Sequence, residues 1–590
     1  MQVKQIYQDR KEAFKTEADV LALSEKRLSM FRLISFLVFL ALVILLFQFH
    51  VVTGLVSIYV AFFLFRLIVK KHEQTVYHHT IAKTLQDINS NELAVLEGEF
   101  SQHDKGDEFQ DITHRFTSDL DVYGAGSLFQ YVTRCQSYFG KSALAFLFQG
   151  NIYKDQIPEY QFAVKELEPM IEWRQRFQAI SHVGMKESQI DDSFLVWLQK
   201  DSDIGFKPVF FFIIPFITIT LLFILVKFLP WMSYLLAFVP AGIFAMRNAE
   251  KISDFESGSS KHANALKAYA KAFEWIQAND FTCRKNIELK GLMIQDGVGA
   301  SSKIKKLSYI LRQLDMRYNF FGLIINVLFP WDYYYSYRLQ CWKNEHKVSG
   351  KVWFESFGYI EALSSLATVA YNNPNWTYPT ITDDKVFHAI SIGHPLIHET
   401  KRIANDFHSA TENHIKIVTG SNMGGKSTFL RTMGLNIVLA NCGSKVCASS
   451  LSLPHLNVYT SMRTLDALNE NTSSFYAELK RLKTVLDAVD HSDNVYFLLD
   501  EILKGTNSND RHTGAKALIK GLLKKNGAGL ISTHDLELGR LAEEHPDQLE
   551  NVCFEVDIKE NELFFDYKLK KGVSKSFNAT HLMRSMGIEV

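Results

Sequence analysis

Apolar positions in this chain fall into long runs with basic flanks and short runs that end in glycine, acid or histidine. Residues 1–30 are polar with helical spacing. No small-residue cleavage site follows the apolar stretch behind them, so they do not read as a signal peptide. From Phe31 to Phe47 the chain is nearly all apolar, interrupted by Arg32 and Ser35. After Gln48, Phe49 and His50 a second run extends from Val51 to Val69. Each approaches the ~20 residues that cross a bilayer. Arg27 and Arg32 flank one end, Arg66, Lys70 and Lys71 the other, and the connection carries no lysine or arginine. By the positive-inside rule both ends are cytoplasmic and the connection faces out.

The pattern recurs at Pro208–Val226 and, after Pro230, at Trp231–Met246. Lys207 precedes this pair, and Arg247 and Lys251 follow it. Lys227 can snorkel to the headgroups, and Trp231 and Tyr234 suit an interfacial belt. The fourth run is shorter than the ~20 residues of a full span. The competing reading, a buried core hairpin, does not account for the matched basic flanks. The pattern therefore predicts four membrane helices in a multi-pass protein of the inner or cytoplasmic membrane, with both termini cytosolic.

Between and beyond the hairpins the spacing is helical. Residues 72–110 read as a connector with apolar positions at Ile81, Leu85 and Ile88. Ala249–Met293 reads as a long charged helix striped by Leu266, Tyr269, Phe273 and Ile276, and Lys303–Ala370 continues as helix broken at Pro330. Asn372-Asn373-Pro374 to Pro379 is a linker.

The short runs carry the chemistry. Ile415–Val418 predicts a buried strand. Gly420, four residues, and Gly425-Lys426-Ser427 then form the G-x-x-x-x-G-K-[ST] phosphate loop, with a helix predicted over Thr428–Leu439. Glycines let successive N–H groups turn toward a phosphate, and the helix aims its positive end at the same anion. Lys426 adds a cation, and the Ser427 hydroxyl suits Mg²⁺. Val495–Leu499 is a second buried run, ending in Asp500-Glu501. That order suits Asp500 to the Mg²⁺ shell and Glu501 to polarising the attacking water. A third strand, Ala528–Ile531, ends in Ser532-Thr533-His534, and His534 could sense a γ-phosphate. Alone, that histidine reads as an ordinary loop residue; in this order the three point to a nucleotide hydrolase.

GSNMGGKSTFLRT, LLDEILKGTNS, STHDLELGRLAE, HPLIHETKRIAND, TSSFYAELKRLKTVL and YKLKKGVSKSFNATHLMRSMGI resemble the ATPase domain of the MutS family of DNA mismatch-repair proteins. The resemblance is dense from Gly393 to Ile588. A weaker one over residues 116–148 is similar to the start of that family's helical core. It implies an α/β P-loop ATPase domain of ABC type joined to a helical core and lever. ATP would be held by Gly420, Ser421, Asn422, Met423, Gly424, Gly425, Lys426, Ser427 and Thr428, and Mg²⁺ by Ser427 and Asp500. Catalytic roles fall to Glu501, Lys426 and His534. It also implies a homodimer in which two ATPase domains face each other and Ser473 reaches the partner's nucleotide. The simpler reading of Ser473 or Ser474 is the cap of the helix from Phe475 to Val489. Two departures stand out: Leu503-Lys504 replace the usual Gly-Arg, and Arg402 stands where the family places an aromatic residue against adenine. Guanidinium stacking on a base is physically reasonable.

The expected organisation is an N-terminal helix (1–30), a membrane hairpin (31–70), a helical linker (71–110), the first part of the core (111–207), a second membrane hairpin (208–246), lever and core helices (247–385) and the ATPase domain (386–590). The second hairpin falls where the resembling family inserts its DNA-gripping clamp, and residues 1–110 carry no counterpart of its mismatch-reading domain. No endonuclease tail is expected before Val590. Lysine plus arginine equals aspartate plus glutamate at 64 each, so bulk charge does not advertise nucleic acid. The clusters Lys303-Lys305-Lys306 and Lys568-Lys570-Lys571-Lys575 read first as solvated faces. Six cysteines without zinc spacing point to free thiols in a reducing compartment. Three functional classes follow: a membrane-anchored MutS-like ATPase handling DNA, an ATP-driven switch acting on membrane protein partners, and a degenerate scaffold. The intact phosphate-loop and strand-tip residues argue against the last.

Overall fold

The structure is a computed structural model. It describes residues 2–574 except 186–189, 201–204, 206, 257–261, 296, 319–321, 323–324, 327–328, 422, 464–473, 493 and 560–561. Two helices open the chain, and both outrun the apolar stretches they contain. α1 (Gln2–Phe49) and α2 (Val51–Leu96) form an antiparallel hairpin turning at His50, whose ring accepts the Val52 N–H at 3.1 Å. At ~1.5 Å per residue each is about twice as long as the ~30 Å hydrocarbon core of a bilayer. Their apolar halves are bare, with Leu33 61% and Phe62 62% exposed. Their polar halves pack on the core, where Phe14, Ile81, Leu85 and Ile88 meet Ala179. The expected connector at 72–110 is therefore, up to Leu96, the continuation of α2.

The helical core follows. α3 (Tyr138–Phe148) and α4 (Ile171–Met185) lead to α5 (Phe210–Phe228), a bare apolar helix. The fourth apolar run does not form one helix. Trp231–Phe238 takes tight 3₁₀ turns, and α6 (Val239–Glu256) starts afresh. Pro240 supplies the reason: it has no N–H to carry an α-helix across the junction, but it fits a first turn. Among the described residues, three helices, α1, α2 and α5, are long and apolar enough to cross a membrane. This corrects the expected four. The predicted helix over 249–293 is likewise divided, with α7 (Ala263–Gln277) followed by a separate helix Arg284–Leu292. α8 (Ala300–Asp315) runs back along α7, and Ser308 Oγ donates to Ala263 O at 2.9 Å.

α9 (Trp331–Asn372) is the spine. It starts immediately after Pro330, and its second half is buried among aromatic rings. Tyr269 meets Phe354 edge to face at 5.0 Å, and Phe273 meets Phe357 at 5.4 Å. Its Glu361 accepts the N–H groups of Gln136 and Ser137, at 3.1 and 3.2 Å, where α3 begins.

Beyond the linker a small four-stranded sheet has the order Thr380–Ile381, β4, β1, β2, comprising β1 (Val386–Ile392), β2 (Asn405–Ala410) and, later in the chain, β4 (Ser450–Leu453). The main sheet has the order β9-β8-β3-β7-β6-β5. Its members are β3 (His414–Gly420), β5 (Asn457–Ser461), β6 (Val495–Asp500), β7 (Ala528–Thr533), β8 (Leu549–Lys559) and β9 (Glu562–Lys571). Five strands are parallel, and β9 closes one edge antiparallel to β8. α10 (Lys426–Asn441), α11 (Ser474–His491) and α12 (Ser508–Lys524) complete the domain. The three predicted strands are present, and α10 begins two residues earlier than Thr428. Ser473 and the segment 575–590 lie outside the described residues.

The membrane-length hairpin, the spine and the core meet at one buried polar cluster. Arg134 Nε and Nη2 each lie 2.8 Å from a carboxylate oxygen of Glu92 on α2. Asn372, the last residue of α9, donates to Glu92 at 2.7 Å and accepts from the Tyr7 hydroxyl of α1 at 2.7 Å. Burial alone would raise the Glu92 pKa, but the charge and hydrogen bonds of Arg134 hold it down at about 2. Removing one member of such a pair strands the other. Arg134→Met should destabilise the purified protein by about 3–5 kcal/mol in urea unfolding. An unchanged midpoint would remove the pair from any part in holding the hairpin to the core.

Candidate nucleotide site

The parallel strands β3, β6 and β7 bring their carboxyl ends to one level. In register, Ser532 lies beside both Val418 and Asp500, and Thr533 beside Thr419. The phosphate loop leaves β3 at Gly420 (φ +150°) and enters α10 at Gly425 (φ +90°). A Cβ on Gly420 would meet Phe554 O at 2.8 Å, and one on Gly425 would meet the Tyr567 ring at 2.9 Å, so both positions need glycine. Lys426 Nζ donates to the carbonyls of Gly420 and Ser421, both at 2.9 Å, and lies 3.3 Å from His534 Nε2. Burial pushes the Lys426 pKa down to about 8, and Lys504 adds to the shift, against the pull of Glu501 and Asp500.

The predicted acids and histidine are joined by contacts. Ser532 Oγ donates to Asp500. His534 Nε2 lies 2.6 Å from Glu501 Oε1, and Lys504 Nζ lies 3.6 Å from Glu501 Oε2. The hydrogen bond from His534 is the largest cause holding the Glu501 pKa at about 2; burial opposes it, and the charges of Lys504, His534 and Lys426 assist. Glu501 and Leu503 have φ of +51° and +62°, the left-handed region that costs an L-residue roughly 1–2 kcal/mol. Glu478 of α11 accepts the Leu503 N–H and braces this turn. Leu503 thus holds, without glycine's freedom, a backbone position where the resembling family has glycine.

A cavity of about 580 Å³ opens beside the phosphate loop, within the range of small-molecule sites. Met423, Gly425, Lys426, Ser427 and Thr428 line its floor, and Arg402, His394 and Phe429 line its walls. Glu501 and His534 line a second cavity of about 480 Å³. Arg402 is on the wall as predicted, but its guanidinium is already engaged. It donates to Ile397 O and Cys447 Sγ, both at 2.9 Å, and lies 5.5 Å from the Trp376 ring centroid. Asn422 lies outside the described residues.

The residues fit a nucleotide with a divalent cation. Ser421 Oγ is buried with no protein partner among the described residues, in the loop that would wrap a phosphate, and Ser427 lines the cavity beside the loop lysine. Four contributing residues escaped the sequence reading. Ser532 orients Asp500; it precedes Thr533-His534 at the strand tip and was legible only as part of that tip. Phe565 and Tyr567 form the flat wall of the nucleotide cavity, their rings 5.9 Å apart and 17° from parallel. Asn405 secures them, donating to Tyr567 O at 3.1 Å and accepting from Leu569 N at 2.9 Å. The signal available for that wall was the close spacing of Phe564, Phe565 and Tyr567, which a reading of the segment as a closing strand passes over.

Comparison with known proteins bears on the C-terminal part of the chain. The family model described as MutS domain V matches residues 416–589. The C-terminal part of this chain is a MutS domain V. Over 242 residues, 40% of the chain, it is 33% identical to the DNA mismatch repair protein MutS of Methanosarcina mazei, covering 26% of that protein. Over 237 residues, 39% of the chain, it is 33% identical to MutS of Thermotoga neapolitana, covering 29%. Over 227 residues, 37% of the chain, it is 31% identical to the DNA mismatch repair protein MSH3 of Phaeosphaeria nodorum, covering 20%. The match therefore spans less than a third of these relatives' length. The MutS domain V is a P-loop ATPase-type domain, and the phosphate loop, the strand tips and the aromatic wall of the cavity lie within the matched residues.

The depressed lysine makes a pH prediction. Lys426 must carry its proton to attract phosphates, so in the free protein that attraction is lost as pH rises through about 8. For ATP hydrolysis, kcat/KM should fall tenfold per pH unit above that point, while kcat stays flat because bound phosphates hold the proton on. A kcat/KM that is constant through this range would separate Lys426 protonation from binding.

Proposed function

We propose that this protein is a membrane-anchored MutS-like ATPase that hydrolyses ATP with Mg²⁺ and uses the cycle to change conformation on DNA. The observation that carries the hydrolase reading is the convergence of Lys426, Asp500, Glu501 and His534 at the carboxyl ends of adjacent parallel strands. Lys426 and the loop N–H groups orient the phosphates. Ser427 and Asp500 would hold Mg²⁺, which supplies charge neutralisation when bound. Glu501, ionised at every working pH, aligns water, and His534 links that carboxylate to the phosphate side. Catalysis of this kind is mostly positioning and electrostatics. Two such domains face each other in a homodimer, with Ser473 reaching across.

Membrane anchoring is supported by the bare apolar surfaces of α1, α2 and α5 and by their basic flanks. On this reading the protein is multi-pass in the inner or cytoplasmic membrane, with both termini and the ATPase domain on the cytosolic side: α1 and α2 cross as a hairpin, and because residues before and after α5 pack in one core, α5 enters the bilayer and the 3₁₀ turns and α6 behind it return the chain to the same side. The DNA partner is supported by the relatives, which are DNA mismatch repair proteins. One observation favours a second reading, an ATP-driven switch acting on membrane protein partners: α5 leaves the core where the resembling family inserts its clamp.

Two measurements test these statements. Glu501→Ala should retain bound ATP and lose at least ~10²-fold in turnover; near-normal turnover would take Glu501 out of the role. The purified protein should bind duplex or branched DNA with an affinity that falls steeply as salt rises. Finding no such binding at low salt would move the assignment to the membrane-partner switch.

A further inference from the structure

α2 carries one helix from the apolar hairpin to the edge of the nucleotide cavity, and its last turn explains how it ends there. Gly98 takes φ +90°, and its N–H bonds Val95 O at 3.0 Å while the Glu99 N–H bonds Ala94 O at 2.9 Å. This capping pattern satisfies two of the helix's terminal carbonyls and leaves that of Leu96 available. His398 supplies the donor: its Nε2 lies 3.1 Å from Leu96 O. Its Nδ1 faces the Thr400 hydroxyl at 2.9 Å and the Thr400 N–H at 3.4 Å. An Nδ1 that accepts from the backbone N–H leaves the proton on Nε2, the form needed to bond Leu96. The imidazole also packs on the bare Gly98 backbone, where a Cβ would lie 3.6 Å away.

His398 is the pivot of the turn that walls the cavity. Its carbonyl accepts the N–H groups of Lys401 and Arg402, both at 3.0 Å. Ile397, Lys401, Arg402 and Ile403 all line the nucleotide cavity, whereas His398 itself does not. From α1, Lys4 pairs with Glu97 at 3.0 Å, so both hairpin helices reach this point.

We propose that the bilayer regulates the nucleotide site through α2, with His398 as the positioning residue that transmits the tilt of the helix to the Ile397–Arg402 turn. The proposal rests on the membrane reading of α1 and α2. Leu96 stands about 6 Å along the helix from Glu92, where the buried ion pair pins it. A tilt of ~10° about that pin displaces the Leu96 carbonyl by ~1 Å, enough to weaken a hydrogen bond, and hydrophobic mismatch produces tilts of that order. Nucleotide binding, in turn, would bias the tilt by the same coupling free energy.

The test uses the full chain reconstituted in nanodiscs of phosphatidylcholine with short, matched and long acyl chains. The KM for ATP should be lowest in the matched bilayer and about fivefold higher in the other two, with kcat changed by less than about twofold. His398→Ala should flatten that dependence, and His398→Gln, which can still donate from its amide, should restore part of it. Hydrogen exchange of residues 396–402 in the unaltered protein should follow bilayer thickness in the same order, a readout that does not depend on any variant folding. A thickness-independent KM in the embedded protein, unaltered exchange, or full dependence in His398→Ala would each overturn the coupling while leaving the anchor standing. Release of the chain from vesicles by carbonate without detergent would instead overturn the membrane reading, and the coupling with it.

Discussion

The ion pair between Glu92 and Arg134 is the constraint on which the arrangement of the whole molecule depends. Both side chains are about 3% exposed, and neither charge could sit there alone. Arg134 also donates from Nη1 to the carbonyls of Tyr131 and Val132, and Glu92 takes a further bond from Asn372. The pair fixes α2 against the core, and Asn372 ties both to the end of the spine. Tyr7 adds α1 to the same point. A buried pair of this kind contributes little net stability over a well-packed apolar group, but it tolerates only one geometry. A hairpin whose outer half is bare is thereby pinned to the core at one point of α2.

The strand tips work under a second constraint. A parallel sheet delivers side chains at its carboxyl end in a plane, and the chemistry requires several of them within a few ångströms. The turn after β6 meets that requirement at the expense of backbone strain at Glu501 and Leu503. Leu503 is buried among the apolar residues of α11 and α12, so packing offsets what its left-handed backbone costs. Glu501 arrives already bonded to His534 and near Lys504. Lys426 lines one cavity and touches His534, which lines the other. The base end of the nucleotide cavity follows a different plan. Arg402 is committed to Ile397, Cys447 and Trp376, and the flat aromatic surface comes from Phe565 and Tyr567 on the edge strand.

The two constraints meet in the turn around His398. It borders the cavity on one side and receives the end of α2 on the other, one helical turn beyond the Glu92 pair. The helix that the bilayer would orient is therefore also part of the support for the nucleotide wall.

Local chemistry was legible in the sequence. The spacing of Gly420, Gly425, Lys426 and Ser427 dictates a phosphate loop because the backbone needs glycine at those points. The apolar runs of α1, α2 and α5 are legible from their length and composition, and the three strands of the site from short apolar runs that end in glycine, acid or histidine. Where the pattern changed from apolar to polar, however, it marked a change of surroundings and was misread as the end of an element: α2 runs unbroken through Lys70 and Lys71 because helix propensity does not depend on which solvent surrounds the turn. The stop in the fourth run came from Pro240, a single residue inside an apolar stretch. Tertiary structure alone decided the rest, because each remaining feature joins residues far apart in the chain: Glu92 with Arg134 and Asn372, Lys426 with His534, Gly425 with Tyr567, and Leu96 with His398. No periodicity encodes such pairs, since which donor meets which acceptor is set by how whole helices and sheets pack.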